Sequence, residues 1–152
     1  MASQETLAHV LDLVPHRQPF RFIDAITFLD DNRIEGNYFL GESEDFYKGH
    51  FPGYAVTPGV ILTEIMAQTG MVAFGIYLMM QQGETTFANM ATLLTETNIK
   101  FKEQVLPGQK VLVQSEKIVF RHGRLRCNVS LTSSSNKLLC QGSMSGMLFI
   151  KP

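Results

Sequence analysis

From Pro58 to about Met80 the chain carries apolar residues on nearly every side of a helix, and such a helix in a globular protein has to be enclosed on all sides. Val60, Leu62, Ile65, Met66, Met71, Phe74 and Leu78 share no single face. Gln68, Thr69, Gly70 and Gly75 interrupt the run, so it reads poorly as a membrane span and well as a core. Thr57 suits the N-cap, Pro58 the first helical position, and Gly83 the stop. The rest of the chain must supply a wrapping layer.

The remaining pattern is mostly strand. Leu7, Val10, Leu11 and Val14 first give a short amphipathic helix over Gln4 to Leu13, stopped by Pro15. Phe20 to Leu29 and Arg33 to Leu40 read as a hairpin around Asp30-Asp31-Asn32. Gly41 to Thr57 is aperiodic, rich in Gly and Pro, and reads as a shaped loop. Thr86 to Phe101, Lys110 to Phe120, Arg124 to Thr132 and Lys137 to Ile150 read as four long strands. The turn signals between them are short, which predicts consecutive antiparallel pairing. The expected class is α+β, an antiparallel sheet curled around one buried helix. With 152 residues, no repeat and no linker, residues 1–152 are expected to form one domain.

Several function classes are excluded early. Apolar residues at 45% and charged residues at 18% fit a globular chain rather than a disordered one. The net charge of −1, without any Lys/Arg block, argues against nucleic acid as a partner. The acidic N-terminus lacks the basic region and apolar stretch of a secretory signal, and no stable membrane insertion is expected. Cys127 and Cys140 fall in strands, match no zinc spacing and read as core thiols, consistent with a reducing cytoplasm.

The chemistry concentrates between residues 49 and 68. His50 sits in Gly49-His50-Phe51-Pro52-Gly53, where Pro52 stiffens the loop around a potential base. At Gly59 a helix begins with backbone amides that have no intrahelical acceptor, and the helix dipole favours negative charge there. The Thr57 hydroxyl can satisfy the Val60 amide, leaving that of Gly59 for a ligand oxygen. Glu64 lies about 7.5 Å further along the axis. Its apolar neighbours should raise its pKa, and Gln68 one turn on is placed to orient it. A base, an oxyanion-type binder and a poised acid suit proton chemistry beside a carbonyl. Of the other histidines, His9 reads as helix surface, His122 as a turn, and His16 as a support of the fold or the site.

Three stretches carry a family resemblance: Val14-Pro15-His16-Arg17-Gln18-Pro19-Phe20 with Asp24, Phe46-Tyr47-Lys48-Gly49-His50-Phe51-Pro52-Gly53, and Pro58-Gly59-Val60-Ile61-Leu62-Thr63-Glu64 with Ala67-Gln68. A weaker one runs from Ile99 to Gly108. Together they resemble the 3-hydroxyacyl-[acyl-carrier-protein] dehydratases of bacterial fatty acid synthesis. The resemblance implies the hot-dog fold and a homodimer, or a trimer of dimers, with active sites between subunits. It implies catalytic roles for His50 and for Glu64 of the partner chain, and a thioester carbonyl bound at the Gly59 amide. Glu rather than Asp at position 64 is similar to the subgroup that dehydrates without isomerising.

It further implies acyl carrier protein as the partner presenting the substrate, and chemistry that needs no cofactor or metal. Gly59, Val60, Gln68 and Phe51 are the candidate substrate-binding residues. Phe51, Ile61, Ile65, Phe87 and Met90 are candidates to line an acyl tunnel, and Lys48, Lys100 and Lys102 to meet an acidic carrier. Thr57, Gln104 and Gln109 depart from the family pattern, which points toward polyene, pigment or other secondary lipid assembly. A thioesterase and a non-catalytic carrier-binding subunit are the alternatives; the first has no need of the His50 loop, and the second would be expected to lose His50 or Glu64.

Overall fold

The computed structural model describes residues 1–152. Ser3 caps the first helix, α1 (Gln4–Leu13), by accepting from the Thr6 amide at 3.1 Å, and Leu7 and Val10 turn inward. Strands β1 (Ala25–Leu29) and β2 (Arg33–Phe39) form the expected hairpin. The first begins five residues later than expected. Phe20 and Phe22 are instead held as loop, because their backbone carbonyl and amide bond the buried Gln68 side chain. The following loop contains one short helix, α2 (Phe46–Gly49), that the aperiodic sequence did not announce.

The apolar helix runs from Gly59 to Gln81 in three parts: α3 (Gly59–Ala67), a π-helical stretch (Gln68–Ala73) and α4 (Phe74–Gln81). Its length and composition would allow it to cross a membrane, but it is largely buried within the protein's own sheet. Every residue from Ile65 to Leu78 is buried. At Gly70 the helix touches the sheet so closely that an added Cβ would lie 2.9 Å from Ser115 and 3.1 Å from Val129. The Gly70 carbonyl accepts from the Ser115 hydroxyl at 3.1 Å, which satisfies a group that the π-turn diverts from the α-helical ladder.

The wrapping layer is a six-stranded antiparallel sheet in the order β1-β2-β4-β5-β6-β3. Its late strands are β3 (Met90–Phe101), β4 (Lys110–Arg121), β5 (Arg124–Ser133) and β6 (Leu138–Ile150). In β5, Leu125, Cys127, Val129 and Leu131 face the helix and Arg124, Arg126 and Asn128 face outward, the alternation of a sheet covered on one side. Consecutive pairing holds for β4-β5-β6 and fails for β3. That strand pairs only with β6, while β4 pairs with β2 across the gap that the helix connection spans. A short turn between β3 and β4 cannot enforce pairing once β4 is drawn against β2. The correction leaves β3 as a twelve-residue edge strand. Cys127 and Cys140 are free and buried, and burial pushes their thiols up to about 11 and about 12.

Candidate active site

The loop carrying His50 is held from both ends. The His50 amide donates to Phe46, Val56 donates to the His50 carbonyl, and Thr57 donates to Val105 beyond β3. Gly53 takes a positive φ of 78° within the turn in which Phe51 and Tyr54 exchange backbone bonds. The His50–Phe51 peptide bond is cis, and the two rings stack with centroids 4.1 Å apart. His50 Nδ1 lies 2.9 Å from the Val56 carbonyl. A carbonyl only accepts, so Nδ1 carries the hydrogen, and in the neutral ring the lone pair falls on Nε2. This is the tautomer of a base.

The helix start differs from expectation in one respect. Pro58, not Thr57, holds the N-cap position, and the Pro58 carbonyl accepts from Ile61 and Leu62. The Thr57 hydroxyl is occupied by Tyr47, whose phenolic oxygen lies at 2.6 Å. The Val60 amide is therefore left without a side-chain cap along with that of Gly59, so two adjacent N–H groups point out of the helix. Val60 itself is 77% exposed, and an added Cβ at Gly59 would meet the Phe101 ring at 3.2 Å.

Glu64 lies one to two turns further on. Its Oε1 accepts from Gln68 Nε2 at 2.8 Å, while the other Gln68 hydrogen goes to the Phe20 carbonyl at 3.1 Å. Gln68 Oε1 accepts from the Phe22 amide at 2.7 Å. Gln68 is 0% exposed with both amide hydrogens engaged, so it positions Glu64 rather than touching a ligand. Burial raises the Glu64 pKa, and the Gln68 hydrogen bond only partly offsets this. His16 Nε2 stands 3.6 Å from Glu64 Oε1. Burial, together with the Arg21 and Arg17 charges, lowers the His16 pKa. Both shifts run against charge separation across this contact, so it contributes less as an ion pair than its distance alone suggests. Arg17 and Arg21 donate to the His16 carbonyl, which makes the Pro15-His16-Arg17 segment a brace for Glu64.

The raised pKa has a consequence for stability. Above its ordinary value of 4.5, Glu64 ionises in the unfolded chain before it does in the folded one, so stability falls as pH rises through that interval and stays reduced above it. Glu64→Gln removes this penalty. Melting curves at pH 4 and pH 8 should show the variant gaining on wild type at the higher pH, and a difference equal at both would rule out a raised Glu64.

The site is split within one chain. Glu64 lines a cavity of about 230 Å³ with His16, Phe20, Met71, Leu93 and Leu148, and this cavity does not include His50. The neighbouring groove over Gly59, Val60 and Phe101 reaches Glu64 but not His50 either. None of the five residues expected to line an apolar tunnel borders the cavity. Ile65 and Met90 are consumed by the core, Phe51 is half exposed on the loop, Ile61 and Phe87 pack on the periphery of the core, and β3 and β6 supply the wall instead. Lys48 is ion-paired to Asp45 at 2.8 Å, whereas Lys100 and Lys102 are exposed.

One sheet curled around one helix in this strand order is the hot-dog fold. A chain of the dehydratase heterocomplex ApeI:P from Xenorhabdus doucetiae superposes with a TM-score of 0.78 over 93% of this chain and 91% of that one, at 14% identity. A hypothetical thioesterase from Streptococcus pneumoniae reaches 0.59 over 83% and 85%, at 11% identity. At such identities the likeness establishes fold alone. The sequence establishes more: the model of the FabA-like domain matches residues 14–138, and the chain belongs to the FabA-like family. It is 38% identical, over 70% of each chain, to the 3-hydroxyacyl-[acyl-carrier-protein] dehydratase FabZ of Staphylococcus epidermidis. It is 31% identical to FabZ of Bacillus subtilis, over 87% of this chain and 89% of the relative.

Proposed function

We propose that this protein dehydrates a 3-hydroxyacyl thioester, presented on acyl carrier protein, to the trans-2-enoyl thioester in fatty acid biosynthesis or a related polyene or secondary lipid pathway. The observation that carries the reading is Glu64, a half-buried carboxyl whose pKa burial raises and which Gln68 holds, one to two turns from the free Gly59 amide. His50 Nε2 removes the proton from C2. The C2 electron pair moves toward the thioester carbonyl, whose oxygen is held by the Gly59 N–H, with that of Val60 beside it. The C2–C3 double bond then forms as the C3–O bond breaks, and Glu64 gives its proton to the departing hydroxyl, releasing water. His50 has gained one proton and Glu64 lost one, so a single proton return resets the pair. The elimination is redox-neutral and calls for no electron carrier.

The working unit is a homodimer, with His50 of one subunit facing Glu64 of the other. Two features support this. Within one chain His50 and Glu64 border different spaces, and the open edge of β3 is flanked by exposed apolar groups: Leu93 at 55%, Phe101 at 50%, and Val60. A long, apolar, unpaired edge strand favours pairing with a second copy. Residues 1–152 act as one such unit in the cytoplasm, and the single 33-residue hydrophobic cluster supports that reading.

Incubation with matched 3-hydroxyacyl and acyl thioesters tests the activity. Enoyl absorbance from the first and no free thiol from either is expected. Free thiol without enoyl product would instead make the protein a thioesterase.

A further inference from the structure

The cavity beside Glu64 is open at one end and closed at the other. Partly exposed His16, Phe20 and Glu64 form its mouth, whereas Met71, Val72 and Leu148 are 4%, 5% and 6% exposed and form its floor. Two glycines allow the floor to close. A Cβ on Gly146 would sit 2.6 Å from Met71 Cε, and one on Gly75 would sit 2.5 Å from Leu148 Cδ1. Those side chains therefore reach into space that any other residue would fill. Met71 is also packed on Cys127, whose sulfur lies 3.3 Å from Met71 Sδ. Because Met71, Val72 and Leu148 are buried within a single chain, the floor of the cavity is set by one subunit.

The floor presents a thioether and two branched aliphatic groups, with no donor or charge for a polar chain end. A dry cavity of about 150 Å³ holds benzene, so each carbon needs about 25 Å³ and a cavity of this size takes about nine carbons. With the C3 hydroxyl at Glu64, the carbons from C4 onward would fill it. Resting on the dehydratase reading, we infer that the Met71–Leu148 floor gauges acyl length and restricts the substrate to apolar-ended 3-hydroxyacyl groups of up to about twelve carbons. A longer chain must displace packed side chains, and each misfitting methylene in such a pocket is worth a factor of about ten or more.

The test is a series of saturated 3-hydroxyacyl thioesters from four to sixteen carbons, with kcat/KM measured for each. Wild type should lose at least about tenfold between twelve and sixteen carbons. Met71→Ala removes three heavy atoms from the floor and should move that fall to longer chains by about three carbons. A flat wild-type profile, or an unmoved fall in a folded Met71→Ala protein, overturns the gauge. Calorimetric binding of unreactive saturated acyl thioesters to wild type reads the same length limit without turnover. If no thioester is dehydrated yet that limit persists, the dehydratase reading fails and the gauge stands; if binding shows no limit, the gauge fails on its own.

Discussion

Replacing His50 by Ala or Glu64 by Gln should each lower dehydration at least about 100-fold, the lower end of what a positioned general base or acid contributes. Neither change removes core packing. His50 is only partly buried on its loop, and Gln at position 64 can still accept from Gln68. Glu64→Gln should therefore melt at or above the wild-type temperature near neutral pH, and His50→Ala, which loses the bond to Val56, should stay folded with a slightly lower one, which separates loss of chemistry from loss of fold. The double variant should fall far short of the product of the single losses, because the two groups act in one proton circuit. Activity should decline as pH rises through the raised Glu64 pKa, with the apparent value belonging to the coupled site rather than to one residue. A His50→Ala protein turning over at near wild-type rate would leave the mechanism without its base.

Joining those two inactive proteins should restore activity. If each site takes His50 from one subunit and Glu64 from the other, a heterodimer of the two variants holds one doubly altered site and one intact site. Random reassortment makes about half the dimers mixed, each with one working site in two, so the mixture should recover about a quarter of wild-type activity. Co-expression with different tags and purification on both isolates the heterodimer, which should show about half the wild-type specific activity. An inert doubly tagged dimer would place His50 and Glu64 of one chain in a common site, and failure to obtain any doubly tagged species would remove the dimer altogether.

The central helix was legible because its apolar residues leave no solvent face over more than twenty positions, and only enclosure satisfies such a segment. The β4-β5-β6 meander was legible for a similarly local reason. Leu125, Cys127, Val129 and Leu131 alternate with polar residues, and the turn at His122-Gly123 is too short for anything but a hairpin. The chemistry of Glu64 also followed from near neighbours, since the apolar run and Gln68 at the fourth position already imply a desolvated, oriented carboxyl. The helix cap was misread. Thr57 is a good cap by residue type, but Tyr47, ten positions earlier in the chain, claims its hydroxyl.

What the sequence by itself determined through near neighbours is the buried helix, the alternating strands and the α+β class; its motifs carried the resemblance that implied the hot-dog fold, the family and the residue types of the proposed acid–base pair. The tertiary structure decided what depends on residues far apart in the chain. It placed β3 beside β6 rather than β4, exposing the edge on which the proposed dimer rests. It brought His16 within 3.6 Å of Glu64, and it made Phe20 and Phe22 ligands of Gln68 rather than members of a strand. It also replaced the expected tunnel residues by a floor of Met71 and Leu148. The physical reason is common to all of these. Local pattern sets which face a side chain presents, whereas the contact it makes is chosen by competition among distant groups for the same buried volume and the same hydrogen bonds.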